Sequence, residues 1–260
     1  MRECYWILLL HLHLQATPAN DASNANVIPW LDPTSPFPPL ESALPYPNGL
    51  LAAGGDLSPA RLITAYRHGV YPWYSEGQPV LWWSPDPRMV LYVDEFKISR
   101  SLLKRIRRGD FEIRVDSAFD EVVDQCARVP RNGQNGTWIT PEMSAAYHRL
   151  HLLGYAHSVE AWGDSGLVGG LYGLALGKIF FGESMFARAS DASKVSLAAL
   201  VTVLRSQAVP LIDCQQETGH LASLGARPIS RRKFSRYLAE LINSNAAPAG
   251  WTAGPVLEHP

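Results

Sequence analysis

The sequence predicts an α+β fold, a mixed sheet flanked by helices, preceded by a small N-terminal α/β lobe. Three features predict it. Between Tyr155 and Phe186 three apolar strand patterns follow one another across tight turns, one of them Gly163-Asp164-Ser165-Gly166. A helical pattern from about Ala192 to Gln207 then returns the chain to another strand, Val209 to Asp213. Ahead of these, strand and helix patterns alternate from Met89 onward, whereas residues 29–57 are dense in Pro and Gly and give loops and short strands.

Taken in order, Ser58-Pro59 supplies a helix cap and a first-turn proline. Leu62, Ile63 and Tyr66 give that helix one apolar face, and Gly69 ends it. Tyr71 to Tyr74, and then Leu81 to Arg88 with Pro85 and Pro87, predict a rigid crossing between the lobes. Met89 to Val93 has a strand pattern. Ser99 caps a basic helix that stops at Gly109, and the strand Phe111 to Val115 leads into a helix capped by Ser117. Thr140-Pro141 opens the next helix and Gly154 closes it. Beyond the strand ending at Asp213 come a short helix ending at Gly225, a strand from Ala226 to Ile229 and a helix capped by Ser230. A meander followed by helix and strand is the arrangement of GNAT-type N-acyltransferases, so an acyltransferase-like sheet is expected. The expected divisions are 1–27, a disordered extension or misassigned start; 28–88, the small lobe; 89–245, the acyltransferase-like catalytic domain; and 246–260, a flexible tail.

With 260 residues and 47% hydrophobic content the chain can bury a substantial core, and its net charge of −1 gives no global attraction to polyanions. Arg2 and the run Tyr5 to Leu10 imitate a secretory signal. However, His11 and His13 interrupt the run, no clean cleavage site follows, and it is too short to span a bilayer. Cys4, Cys126 and Cys214 are odd in number and lack ligand spacing, which supports neither a disulfide framework nor a metal site and fits a reducing compartment. Asn135-Gly136-Thr137 matches a glycosylation sequon that carries meaning only in a secreted chain.

Two strand ends carry the candidate chemistry. Phe180-Phe181-Gly182-Glu183-Ser184-Met185-Phe186 and Leu211-Ile212-Asp213-Cys214-Gln215 each deliver a carboxylate out of an apolar run. Period-two alternation places Asp213 and Gln215 on one side of an extended strand. Alone, a strand-end Asp is as readily a helix cap and a Gly-Glu pair a turn; together, with an apolar helix between them, they point to a site. Lys97, Arg100, Lys104, Arg105, Arg107 and Arg108 form one basic cluster, and Arg227, Arg231, Arg232, Lys233 and Arg236 a second. Each is either a solvated helix face or a phosphate surface, with Arg100, Lys104, Arg105, Arg108, Arg231 and Arg232 the candidates for the latter.

Five ordered motifs carry a resemblance: Pro47-Asn48-Gly49-Leu50-Leu51-Ala52-Ala53-Gly54-Gly55-Asp56-Leu57; Tyr71-Pro72-Trp73 with Trp82-Trp83-Ser84-Pro85-Asp86-Pro87-Arg88; Gly136-Thr137-Trp138-Ile139-Thr140; Gly182-Glu183-Ser184-Met185-Phe186; and Asp213-Cys214-Gln215. Over roughly residues 28 to 240 the chain resembles the bacterial leucyl/phenylalanyl-tRNA–protein transferases. The resemblance implies transfer of Leu or Phe, less efficiently Met, from aminoacyl-tRNA to proteins that begin with Arg or Lys. This marks them for N-degron proteolysis in the cytoplasm, without cofactor, metal or membrane. A monomer is expected. It also implies that Trp73 and Trp138 stack on the 3′-terminal adenosine, with Tyr147 near the same cleft, and that Leu171, Phe180, Met185, Leu200, Leu204 and Ile212 form the slot for the donor side chain. Family members can carry Met or Phe where this chain has Leu171, Leu200 and Leu204, so its donor preference can differ.

The residues agree with such chemistry. Turning a tRNA ester into an amide runs downhill, and the sequence has no P-loop, metal-ligand cluster or nucleophile elbow. An α-amine with a pKa of about 7.7 to 8.0 is partly neutral at pH 7, so holding amine and ester in register does much of the work. The resemblance implies that Gln215 receives the amine proton with Asp213 polarising it. Because an amide oxygen is a very weak base, Gln215 is expected instead to accept an orienting hydrogen bond, with Asp213 fixing its rotamer. Glu183 is expected to hold the acceptor's charged terminus or to complete the polar network. Two other readings compete. An acyl-CoA-dependent N-acetyltransferase would need a pyrophosphate-cradling Q/R-x-x-G-x-G/A turn, and none is found. A non-catalytic tRNA-binding protein leaves Glu183, Asp213 and Gln215 unexplained.

Overall fold

The structure, a computed structural model, describes residues 28–129, 137–242, 250–251 and 254–255. The expectations for residues 1–27 and for the sequon at Asn135 lie outside the described residues.

Residues 30–83 build a four-stranded sheet from β1 (Trp30–Leu31), β2 (Leu50–Gly54), β3 (Tyr71–Pro72) and β4 (Leu81–Trp83), in the order β1-β2-β4-β3. Leu81 to Trp83, expected within a crossing, is therefore a strand, paired on both edges. Its tryptophans explain why: Trp82 and Trp83 are buried, and their ring N–H groups donate to the carbonyls of Gly54 and Trp73 at 2.8 and 2.7 Å. Helix α1 (Pro59–Arg67) lies between β2 and β3. Ser58 caps it, its side chain accepting from the Arg61 N–H, and Gly69 at φ +74° turns the chain out.

From Arg88 onward the chain forms an eight-stranded mixed sheet with helices, as the sequence predicts. Along the chain come β5 (Arg88–Tyr92), α2 (Arg100–Arg108), β6 (Glu112–Val115), α3 (Phe119–Arg128), α4 (Pro141–Leu152), β7 (Ala156–Gly163), β8 (Gly166–Leu176), β9 (Ile179–Ala187), α5 (Ala192–Ser206), β10 (Leu211–Gln215), α6 (Gly219–Ser223), β11 (Arg227–Ile229), α7 (Arg231–Leu241) and β12 (Gly254–Pro255). The strand order is β11-β5-β10-β9-β8-β7-β6-β12. Among the described strands of this sheet every pairing is antiparallel except β9 with β10, which the intervening α5 makes parallel. Ser99, Thr140 and Ser230 cap α2, α4 and α7 as expected.

The cap of α3 differs. Its N-cap is Ala118, which has no side chain to offer, and the buried Glu160 carboxylate of β7 accepts the backbone N–H groups of Ser117 and Ala118, each at 3.0 Å. A carboxylate from another strand thus meets the positive end of the helix, a pairing local sequence cannot show.

The sheet separates two apolar clusters. Tyr172, Leu174, Phe181, Phe186 and Leu211 pack with the four-stranded sheet, α1, α3 and α4; Leu171, Ala175, Phe180, Met185 and Ile212 pack with α5. A β-bulge changes the parity along β9: Gly173 pairs with Gly182 but Tyr172 with Ser184, leaving Glu183 as the extra residue. Close approach of α5 depends on Gly169, where a Cβ would lie 2.4 Å from that of Ala192. Of segment 246–260, the described Trp251 stacks on His157 at 4.1 Å and β12 pairs with β6.

Candidate active site

The parallel ladder between β9 and β10 ends at the rung Phe181–Asp213. Beyond it β10 has its own bulge, between Asp213 and Gln215 on the β5 side, and Gln215 adopts φ +60°. Alternation alone therefore does not carry Asp213 and Gln215 to one site. The chain turns there, and Asp213 Oδ1 stabilises the turn by accepting the Gln215 backbone N–H at 2.9 Å.

Asp213 is completely buried, and its partner is Arg88 at the start of β5. The guanidinium grips it in a fork, Nε to Oδ1 at 2.8 Å and Nη2 to Oδ2 at 2.7 Å, and Nη1 donates to the Gly69 carbonyl at 3.1 Å. The rings of Tyr71 and Phe234 lie with their centroids 4.8 Å from the guanidinium carbon. Such a bidentate, fully bonded pair offsets the desolvation of two buried charges. It ties the end of α1, β3, α7 and the strand bearing Gln215 together. The sequence signal for Arg88 is an arginine that opens a strand otherwise made of apolar residues, at the end of the aromatic and proline-rich motif.

Asp213 does not hold the Gln215 amide, contrary to expectation, because both its oxygens are taken by Arg88 and the backbone. Glu183 holds it instead: Gln215 Nε2 donates to Glu183 Oε1 at 3.0 Å, leaving the amide oxygen as an acceptor. The same carboxyl is met by Tyr66 of α1, whose hydroxyl lies 2.7 Å from Oε1, and by Tyr147 of α4, 2.6 Å from Oε2; the two hydroxyls are 2.7 Å apart. Burial raises the Glu183 carboxyl to about 7, hydrogen bonds from Tyr147 and Tyr66 oppose the rise, and the charges of Asp213 and Arg88 act in opposite senses. Burial also pushes both phenols well above their ordinary value, so they keep their protons. The Cys214 thiol rises for the same reason and is no nucleophile.

Tyr147, expected beside the adenosine, is wholly buried and committed to this cluster, with the Tyr172 ring against it at 5.3 Å, so it presents no free face for a base. Tyr66, read from sequence only as part of an apolar helix face, belongs to the cluster as well. Trp73 and Trp138 are half-buried against the same core, Trp73 edge-on to Trp83 at 5.5 Å. Leu171, Phe180, Met185, Leu200, Leu204 and Ile212 all fall in the α5-side cluster, where five are buried and Met185 is partly so.

The phosphate candidates divide. Arg100, Lys104, Arg107 and Arg108 line an open groove along α2 with Leu103. Arg105 and Arg108 are both paired to Asp110, just past the helix end, and Arg105 reaches Asp191 at 3.6 Å as well. Arg231 is used within the fold: its backbone N–H donates to Asp86 and its guanidinium to the Ser84 carbonyl. Arg232 is exposed on α7. No helix among the described residues is long and apolar enough to cross a membrane.

Comparison with known proteins agrees with the motifs. The family model for leucyl/phenylalanyl-tRNA protein transferase matches residues 90–239, and that for the N-terminal domain of such proteins matches residues 55–86. A leucyl/phenylalanyl-tRNA–protein transferase of Chromobacterium violaceum is 60% identical over 216 residues, covering 83% of this chain and 92% of that one. One from Azoarcus is 55% identical over 232 residues, covering 89% and 98%. A solved GCN5-related N-acetyltransferase from Kribbella flavida shares 11% identity at a TM-score of 0.29, covering 66% of this chain and 61% of that one.

Proposed function

This chain belongs to the leucyl/phenylalanyl-tRNA–protein transferase family, and from that premise we propose how its residues carry out aminoacyl transfer. The enzyme takes an aminoacyl group from aminoacyl-tRNA. In our reading the group is Leu or Phe, less efficiently Met, and the acceptor is the α-amine of a protein beginning with Arg or Lys, marked thereby for N-degron proteolysis in the cytoplasm. Residues 28–88 form the small lobe and 89–245 the catalytic domain of a monomer.

The observation that supports this reading best is the Gln215 amide, fixed by its nitrogen to Glu183 at the point where the β9–β10 ladder stops. The amide oxygen then accepts an N–H of the incoming amine and orients its lone pair toward the ester. Asp213, immobilised by Arg88, holds the left-handed backbone that presents Gln215. The donor side chain enters the cluster of Leu171, Phe180, Met185, Leu200, Leu204 and Ile212. A methylene more or less in such surroundings changes binding by only about 1–3 kcal/mol, in keeping with tolerance of Leu, Phe and Met together. Trp73 and Trp138 stack on the terminal adenosine, and Arg100 and Lys104 of α2 meet tRNA phosphates.

The test is incubation with Leu-tRNA and two peptides differing only in an N-terminal Arg or Ala. Mass spectrometry should find one added leucine on the Arg peptide alone. Retention of charged tRNA with neither peptide extended would favour a binding protein over a transferase.

A further inference from the structure

Three oxygen-to-oxygen contacts close a ring at Glu183: Oε1 to the Tyr66 hydroxyl at 2.7 Å, Tyr66 to the Tyr147 hydroxyl at 2.7 Å, and Tyr147 back to Oε2 at 2.6 Å. Separations this short are hydrogen bonds, and each needs its own hydrogen. The two phenols bring two. The Gln215 amide supplies a hydrogen to Oε1 from outside the ring and none within it. An ionised Glu183 would leave one pair of oxygens facing each other with lone pairs only.

We propose that Glu183 carries the third hydrogen of this ring in the empty site and, once ionised, takes a proton from the acceptor's α-ammonium, with Tyr66 and Tyr147 as its positioning residues. The proposal rests on the transferase reading above. Tyr66 faces the carboxyl from α1, Tyr147 from α4, Tyr71 from β3, Arg88 from β5 and Asp213 from β10, and Tyr172 of β8 lies against the two phenols. Both oxygens of Asp213 are held by Arg88 in a bidentate pair. With the Glu183 carboxyl at about 7, both of its forms are populated at neutral pH, the condition a proton acceptor needs.

The step balances. The Glu183 carboxylate accepts one proton from the ammonium, giving a neutral amine and a carboxyl. The amine lone pair forms the C–N bond to the ester carbonyl carbon, the bond to the ribose oxygen breaks, and a second amine proton passes to that oxygen. The carboxyl then releases its proton to solvent. Ammonium and ester become amide, ribose hydroxyl and one free proton.

Two measurements on the full chain test this. The first is an infrared titration without substrates, in which the wild-type minus Glu183→Gln difference isolates the stretch of the protonated carboxyl. The band should be present at about pH 6 and lost by about pH 8. Its absence at about pH 6 would overturn the proposal. The second is single-turnover transfer. Glu183→Gln retains an N–H for the ring but accepts no proton, so its rate should fall roughly tenfold or more at about pH 6.5 and recover above about pH 8.5, where the amine is already neutral. Rates equal to wild type at both pH values, or the same deficit at both, would overturn it. A wild-type chain that shows the band and extends no peptide overturns the transferase reading and with it the proton step, while the protonated ring stands.

Discussion

Glu183 and Gln215 each stand two residues past Phe181 and Asp213, the last backbone-paired residues of their parallel strands, and the 3.0 Å bond between their side chains takes the place of the next rung. Two bulges produce this geometry. One makes Glu183 the extra residue against β8, and the other shifts the β10 register before Gln215. The strands are therefore joined, beyond the point where backbone pairing fails, by groups that a substrate can address. The structure that surrounds them, from α1, α4 and β5, serves to hold one carboxyl and one amide.

Replacing Gln215 by Glu introduces a base much stronger than an amide, yet it should not accelerate transfer. The new carboxyl would lie against Glu183, and two carboxyls at that distance share one proton rather than ionise together. The single-turnover rate with Leu-tRNA is expected to stay level or fall. A clear acceleration would show that the residue at 215 is itself the base.

The Glu183 carboxyl also predicts a pH dependence of stability. Its pKa is about 7 in the folded chain against 4.5 for the free group, so between these values the unfolded chain loses a proton that the folded chain keeps. Stability from this group is complete below about pH 4.5 and declines as pH rises toward 7, by up to about 3 kcal/mol. Urea unfolding of wild type and Glu183→Gln across this range should show the wild type losing ground to the variant as pH rises. A constant difference between the two would refute the shift.

Breaking the Arg88–Asp213 pair should destabilise strongly, because the remaining charge is buried. Arg88→Met is expected to cost about 3–5 kcal/mol, whereas Arg88→Met combined with Asp213→Leu, which removes both charges, should be more stable than the single variant. Urea midpoints and slopes decide it. Costs that simply add would mean the pair is not a coupled unit.

For tRNA binding, Arg100, Lys104 and Arg107 line the α2 groove with no carboxylate partner among the described residues, while Arg105 and Arg108 are engaged with Asp110. The salt dependence of affinity should lose a slope of about 0.7–0.9 for each phosphate contact removed. The triple alanine variant of the first three should flatten the plot, and Arg105→Ala should barely change it. Equal effects from both would mean that Asp110 does not withhold its arginines.

Much of this was legible in the sequence. Side-chain caps at Ser58, Ser99, Thr140 and Ser230, glycine stops and the three-strand meander are local signals, and they place the helices and the β9–α5–β10 crossover that brings Glu183 near Asp213. What was not legible depends on contacts across long separations. Glu160 caps α3 from β7, Arg88 meets Asp213 from 125 residues away, and Tyr66 and Tyr147 arrive from different helices. The bulges were hidden as well: alternation predicted the common side of Asp213 and Gln215, but a left-handed Gln215 is what produces the site. Leu81 to Trp83 resembled a crossing because prolines follow it closely, and the strand became evident only from its neighbours on both edges.

The most direct test of the central claim compares wild type with Gln215→Ala in single-turnover transfer of leucine from saturating Leu-tRNA to a peptide beginning with Arg, with tRNA affinity measured in parallel. If the Glu183–Gln215 pair is where amine meets ester, the rate should fall by on the order of a hundredfold with affinity changed less than about twofold. An unchanged rate, or a loss matched by weaker tRNA binding, would place the chemistry elsewhere.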